Sequence, residues 1–310
     1  TKNTVLLLEA GNADFHPFIH VPVGFVNLMT NPTVNWLFST SEQEKLNGRR
    51  ISMPRGKVLG GTSAINGMLY VRGQAQDFEE WAQAGNIGWS FSDVLPFFKK
   101  SVSNFVEQKF LDEHYHGCTG ELHVNSPRTT YAILDQFIEA AGGCGYRKYA
   151  DYNGQSQDGF NYFQLTQKNG FRHSSYQAFI APIIKKRRNI NKITSAHVLK
   201  LSLEDNGRIV TGVQIEHKGK KKFIRANREV ILCAGSIGSP QILELSGIGD
   251  AERLRRIGIK PKINLPAVGE NLTDHFLTRL TWQLSSSDSL NRSLRGFGTI
   301  KEIMQFLIRR

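Results

Sequence analysis

Short apolar runs separated by glycine, proline and polar clusters dominate this chain, and only a few windows carry a clean helical period. Val5 to Leu8 is a continuous apolar run ending in Glu9-Ala10-Gly11, which reads as a short apolar strand followed by an acid. From Asn12 to Gly48 prolines, asparagines and aromatics replace any period. That composition predicts an extended excursion with short elements, in which His16 and His20 are packing or surface residues. Phe78, Trp81 and Ala82 stand at i, i+3 and i+4 and predict a helix over Asp77 to Ala84, ended by Gly85. Ser92-Asp93 is expected to cap the next helix, with Pro96 in its first turn. Glu107 to Pro127 reads as an exposed loop; its His114, His116 and Cys118 lack a fourth ligand at a recognisable metal spacing. Tyr131 to Ala141 is expected to be a helix closed by Gly142 and Gly143, and Asp151 to Phe163 has no period.

Thr166 to Tyr176, T-Q-K-N-G-F-R-H-S-S-Y, leads into a helix expected to reach Lys186; its polar density reads equally as a turn with an N-cap or as the lining of a site. Ile193 to Leu203 and Ile209 to Glu216 alternate around Asp205-Asn206-Gly207, a hairpin signal. Phe223 to Cys233 is read as a third strand, and Val230 to Cys233, apolar on both faces, is expected inside a main sheet. Ala234 to Pro240 forms a Gly/Ser turn into a helix, a place where helix N–H groups can face an anion. Ser246 to Gly249 ends that helix, Asp250 caps another, Gly258 stops it, and Ile300 to Ile308 reads as part of an amphipathic helix.

The segment that organises the rest is Arg55 to Gly73. Gly56, Gly60, Gly61, Gly67 and Gly73 interrupt two apolar runs, so a ligand can approach the backbone N–H groups without meeting a Cβ. Thr62, Ser63 and Asn66 add short polar groups, and Arg55, Lys57 and Arg72 are expected to supply charge for a pyrophosphate. By itself the stretch is also compatible with a Gly-rich turn between two core strands.

At 310 residues the chain can bury a large core in two connected lobes, and 40% hydrophobic with 21% charged residues describes a globular protein. The net charge of +12 is local, concentrated in Lys185 to Arg188 and Lys218 to Lys222. A helix end and a solvated hairpin turn account for these runs better than nucleic acid does, because few stacking aromatics accompany them. Cys118, Cys144 and Cys233 have no C-x-x-C spacing, which argues against a disulfide framework or zinc site and for a reducing compartment. No apolar run reaches the length of a membrane span and no signal-peptide pattern is present, so a cytoplasmic or peripheral inner-face location is expected.

Three long segments taken together resemble the glucose-methanol-choline (GMC) oxidoreductases. Arg55 to Arg72 is similar to that family's first signature, Gly235 to Gly249 to its second, and Val268 to His275 (V-G-E-N-L-T-D-H) to a third shared stretch. Within the first, I-N-G-M-L-Y-V-R-G looks most like the choline and aliphatic-alcohol dehydrogenases. The resemblance implies an α/β fold, α+β overall: a Rossmann-like FAD-binding region over residues 1–280, with 126–190 contributing to the substrate side, and the beginning of a substrate domain in 281–310.

It also implies FAD and assigns its neighbours. Glu9 binds the adenosine ribose, and Val198 contacts adenine through its backbone. Val58, Gly60, Gly61 and Thr62 pass the pyrophosphate and ribityl chain; Asn66, Gly67, Met68 and Leu69 lie along the isoalloxazine; Ala234 and Gly235 approach the phosphate side. Some relatives attach flavin through a histidine just before that asparagine; Ile65 stands there, so dissociable FAD is expected. The reaction implied is removal of two electrons from a CH–OH group, a base taking the hydroxyl proton while hydride passes to flavin N5. The partners implied are a small-molecule alcohol and an unspecified electron acceptor. The family's histidine base and its partner are expected beyond Arg310, His275 is not that base, and the glycine fingerprint G-x-G-x-x-G is expected before Thr1. The 310 residues therefore read as an incomplete stretch, weak in FAD binding and inactive alone. A non-catalytic scaffold of the same fold, or a basic nucleic-acid-binding module, are the alternatives.

Overall fold

The computed structural model describes residues 2–106, 112–149, 151–204, 207–275, 277–278 and 280–284. The expected helix over Ile300 to Ile308, nearly all of 281–310, and Asp205-Asn206 of the hairpin turn lie outside those residues. The chain divides into two compact units, Thr1–Ala13 with Asn189–Thr281, and Asp14–Arg188 with Trp282–Arg310.

In the first unit the Val5–Leu8 strand forms as its apolar run predicts and pairs in parallel with Ile190–Ile193, Val5 opposite Ile190 and Leu8 opposite Ile193. The ladder continues past the strand ends, because Glu9 N–H donates to Ile193 O (3.0 Å) and Ala196 N–H to Glu9 O (2.9 Å). The alternating run expected over Ile193 to Leu203 is in fact broken at Ser195, whose φ of +52° turns the chain out of one pairing and into another. Ala196–Leu203, Val210–His217 and Lys220–Arg225 then make an antiparallel sheet with Val210–His217 in the middle. Gly212 is required there, since a Cβ would lie 2.2 Å from Ile224 O. The Gly235–Leu245 helix packs against this sheet, and Ile242 joins Ala196, Leu201, Val213, Ile215 and Ile248 in the core. Asp250 caps Ala251–Arg256 by accepting from Arg253 N–H at 2.6 Å, as its position predicts.

Phe223 to Cys233 departs from expectation. The strand ends at Arg225, and Val230 to Cys233 has no ladder among the described residues. Val230 and Leu232 pack partly on the core while Ile231 is 74% exposed, so an extended run that looks apolar on both faces uses only one. The basic run Lys218 to Lys222 forms the solvated hairpin, with Lys218 and Gly219 at positive φ and Lys221 opposite Glu216.

The second unit holds the Ala75–Gln83 helix and, after Gly85 at φ +97°, the Phe91–Ser101 helix. Phe78 joins them, meeting Trp81, Phe91 and Phe98 at ring-centroid distances of 5.5, 6.2 and 5.7 Å. The cap of the second helix is Ser90, with Asp93 completing a capping box from the third position. Pro96 consequently falls in the helix interior. Ala132–Gly143 forms the next helix and extends through both glycines expected to close it; Gly145, at φ +88°, is the first residue past it in the left-handed region. The segment read as an exposed loop supplies Leu122–Val124, paired in parallel with Val102–Asn104.

Candidate cofactor site

The glycine segment is built on a small apolar base. Val58, Ala64 and Ile65 are buried with Ile19, Leu28 and Val34, which anchors the intervening residues from beneath. Gly56 and Gly61 lie against each other: a Cβ on Gly56 would stand 2.2 Å from the carbonyl of Gly61. Gly60 and Gly61 both have positive φ, +95° and +55°, and lead into a single tight turn over Gly61–Ala64. Nothing lies within 4 Å of the position a Gly61 Cβ would take. The backbone at Gly61 is thus folded by one glycine contact and left open on the other side.

Hydroxyls hold the turn. Thr62 Oγ1 accepts from Gly56 N–H at 3.1 Å, Ser63 Oγ donates to Gly60 O at 2.6 Å, and Ser63 Oγ accepts from Ser175 N–H at 2.9 Å. Downstream, Asn66 Oδ1 accepts from Met68 N–H at 3.0 Å, and Met68 itself sits at φ +63°, a conformation uncommon outside glycine. Thr166 N–H fixes that residue by donating to Met68 O at 2.9 Å. A Cβ on Gly67 would touch only Leu69 Cγ, at 4.0 Å, and Leu69 is half-exposed.

The cations of this segment are disposed differently from the sequence reading. Lys57 Nζ lies 4.6 Å over the Trp36 ring and Arg55 donates to its neighbour Pro54 O. Arg72 is buried: Nε donates to Tyr70 Oη at 2.9 Å, Nη1 to Tyr115 O at 2.6 Å, and the guanidinium stacks over Phe98. Arg72 is therefore held inside the protein through Nε and Nη1, while its buried Nη2 has no hydrogen-bond partner among the described residues.

Sequence reasoning gives Arg172, His173 and Ser174 no individual role. Arg172 ends a hairpin of Gln167–Lys168 and Phe171–Arg172 closed by Asn169 and Gly170 at φ +51° and +79°, His173 and Ser174 follow it, and that Asn-Gly pair is the signal that could have found them. All three are buried. Arg172 reaches Ile19 O, Ser63 O and Asn66 Oδ1 at 2.7, 3.1 and 2.9 Å, and desolvation lowers its pKa to about 10. His173 Nδ1 accepts from His123 N–H at 3.1 Å; burial, then the nearby His123 and Lys168, push its pKa down to about 4. The helix expected to run to Lys186 is instead one wide π-type turn, Tyr176–Ile180, followed by a short α turn, Ala181–Ile184. Pro182, which has no N–H to donate, stands at their junction.

A second polar cluster also escapes the sequence. His116, expected in an exposed loop, is buried and bonds Asp151 Oδ2 through Nε2 at 2.5 Å and Asn104 through Nδ1 at 3.1 Å. Gln164 and Asn153 close the cluster around Asp151 Oδ1. No group of histidine, cysteine and acidic residues able to hold a metal ion occurs among the described residues.

In the first unit, Glu9 follows its strand and accepts from Gly11 N–H at 2.8 Å through Oε1. Its carbonyl receives Ala196 N–H, two residues before Val198, which is half-buried in the sheet opposite Ile215. Ala234 is the N-cap and Gly235 the first residue of the Gly235–Leu245 helix, at φ +82° with nothing within 4 Å of a would-be Cβ. A helix start with open space before it favours negative charge. The predicted residues thus fall into two groups: Val58, Gly60, Gly61, Thr62 and Asn66 to Leu69 along one stretch of one unit, and Glu9, Val198, Ala234 and Gly235 in the other.

The family model described as GMC oxidoreductase matches residues 6–277. An oxygen-dependent choline dehydrogenase of Rhizobium etli is 42% identical over 274 residues, 88% of this chain and 48% of that protein. One of Vibrio vulnificus is 39% identical over 297 residues, 95% of this chain and 52% of that protein. The chain spans about half the length of the curated relatives it matches. Among solved structures, pyridoxine 4-oxidase from Mesorbium loti superposes with a TM-score of 0.79 at 28% identity, covering 86% of this chain and 51% of that one. A variant of Aspergillus oryzae formate oxidase, studied for its FAD modification, gives 0.76 at 25% identity over 84% and 46%.

Proposed function

This chain belongs to the GMC oxidoreductase family, and we propose that it carries the FAD-binding part of an enzyme that oxidises the CH–OH group of a small alcohol to an aldehyde. The observation that carries the reading is the backbone at Gly60 and Gly61, both turned by positive φ, with open space at Gly61 where a side chain would otherwise stand. In the other unit, the helix start at Gly235 also has open space where a side chain would stand, which suits an anion.

In this proposal Val58, Gly60, Gly61 and Thr62 pass the pyrophosphate and ribityl chain; Ala234 and Gly235 are proposed to approach phosphate. Glu9 accepts from ribose hydroxyls, Val198 meets adenine by its backbone, and Asn66 to Leu69 line the flavin ring. When bound, FAD supplies the acceptor for the two electrons leaving the alcohol carbon. Ile65 is buried and apolar, so it offers no point of covalent attachment, and FAD is proposed to be dissociable. The proton-accepting histidine is proposed to lie beyond Arg310. The histidines near the glycine segment are otherwise engaged: His173 accepts from His123 N–H, and His116 is buried against Asp151. His275 is exposed.

A choline-like alcohol is the proposed substrate class. No helix among the described residues is long and apolar enough to cross a membrane, and a cytoplasmic or peripheral inner-face location is proposed. The test is to denature the natural full-length protein with acid and record the supernatant spectrum, then to follow alcohol-dependent dye reduction by the native protein. Free flavin in the supernatant with alcohol-dependent turnover is expected. Flavin retained in the precipitate overturns dissociable binding, and absence of flavin altogether overturns the cofactor reading.

A further inference from the structure

Asn66 has a side chain whose orientation the structure settles. Its Oδ1 accepts two hydrogen bonds, from Met68 N–H at 3.0 Å and from Arg172 Nη1 at 2.9 Å. Both partners can only donate, so the atom that receives them has to be the amide oxygen. The NH2 end is left without a protein acceptor among the described residues, on a side chain that is only half-buried.

Arg172 is an expensive way to arrange this. It is 3% exposed, its Nη2 is buried with no hydrogen-bond partner, and no carboxylate pairs with it among the described residues. A buried cation without a counter-charge is destabilising, and an apolar side chain of similar volume would fill the space at less cost. What the guanidinium supplies is a rigid set of donors that ties Ile19 O, Ser63 O and Asn66 Oδ1 to one plane.

We propose that Arg172 is a positioning residue that locks Asn66 with its NH2 group outward, so that this segment presents a hydrogen-bond donor, never an acceptor, to a carbonyl oxygen or ring nitrogen of the bound cofactor. The inference rests on the FAD reading above. It goes beyond that reading because it fixes which kind of cofactor atom Asn66 can meet and names the residue, 106 positions away, that decides it.

The discriminating variant is Asn66→Asp. A carboxylate keeps an acceptor for both Met68 N–H and Arg172 and also neutralises the buried charge, so the melting temperature without FAD should equal or exceed wild type. It removes the donor, so titration of FAD into the apo form of the natural full-length protein should show affinity reduced by about tenfold or more, with an altered flavin absorption band in what binds. Arg172→Met frees the amide to rotate and should also weaken FAD and shift its spectrum, while Arg172→Lys, keeping one donor, should lie between.

An Asn66→Asp protein that binds FAD with wild-type affinity and spectrum overturns the proposal. So does an Arg172→Met protein whose melting temperature falls while the FAD affinity and spectrum of its folded fraction stay unchanged. If Arg172→Met does not fold, Asn66→Asp decides alone. Wild-type protein that takes up no FAD removes the cofactor reading and this inference together; wild-type uptake with unaltered variants removes this inference only.

Discussion

His123 and His173 meet edge to face with ring centroids 5.1 Å apart, and the main-chain N–H of His123 donates to Nδ1 of His173 at 3.1 Å. That bond requires an unprotonated Nδ1, and burial holds the His173 pKa near 4, below the ordinary value of 6.5. The unfolded chain therefore binds the proton first, and folding stability is fully present above pH 6.5 and is lost progressively as pH falls toward 4. Thermal melts across that window should show a steeper decline for wild type than for His173→Gln. Parallel declines would mean that this pair does not titrate as its burial requires.

Gly56 and Gly61 separate two effects that are usually confounded. Gly56→Ala puts a methyl against the Gly61 carbonyl and should cost about 1–3 kcal/mol through forced backbone movement. Gly61→Ala meets no atom and should cost only about 1 kcal/mol for the left-handed conformation. Its larger effect should be on FAD affinity, read by flavin fluorescence titration.

Breaking the His116–Asp151 hydrogen bond should be destabilising, because Asp151→Ala leaves a buried imidazole nitrogen without its partner. A loss of about 1–3 kcal/mol is expected, measured by urea unfolding. A change under about 1 kcal/mol, the range of exposed pairs, would mean that the pair is solvated in solution.

Ser246 carries a comparable burden. Its Oγ accepts from Leu201 N–H at 2.8 Å and donates to Ile242 O at 2.5 Å, joining helix to sheet. Ser246→Ala strands the Leu201 N–H and should cost about 1–3 kcal/mol, visible as faster amide exchange at Leu201.

What the sequence discloses is local. Val5 to Leu8, the helix around Phe78, the Asp250 cap and the lysine hairpin each follow from a few adjacent residues, and each forms as read. The glycine segment is legible as unusual backbone because five glycines in nineteen residues strip it of the Cβ atoms that an ordinary strand or helix packs with. His116, Arg72 and Arg172 are hidden for one reason. Their burial depends on partners tens of residues away, Asp151, Tyr115 and Asn66, and no short window contains both members of such a pair. Val230 to Cys233 misleads differently: composition counts four apolar residues and is silent on the fact that only alternate ones touch the core.

The pairing of Val5 with Ile190 has a consequence for how the protein is made. At ribosomal speeds of about 5–20 residues per second, the Val-Leu-Leu-Leu strand emerges roughly 10–40 s before its neighbour exists. During that interval the strand waits without the backbone that completes it. Nascent chains of this protein thus carry an unpaired apolar strand for many seconds of translation.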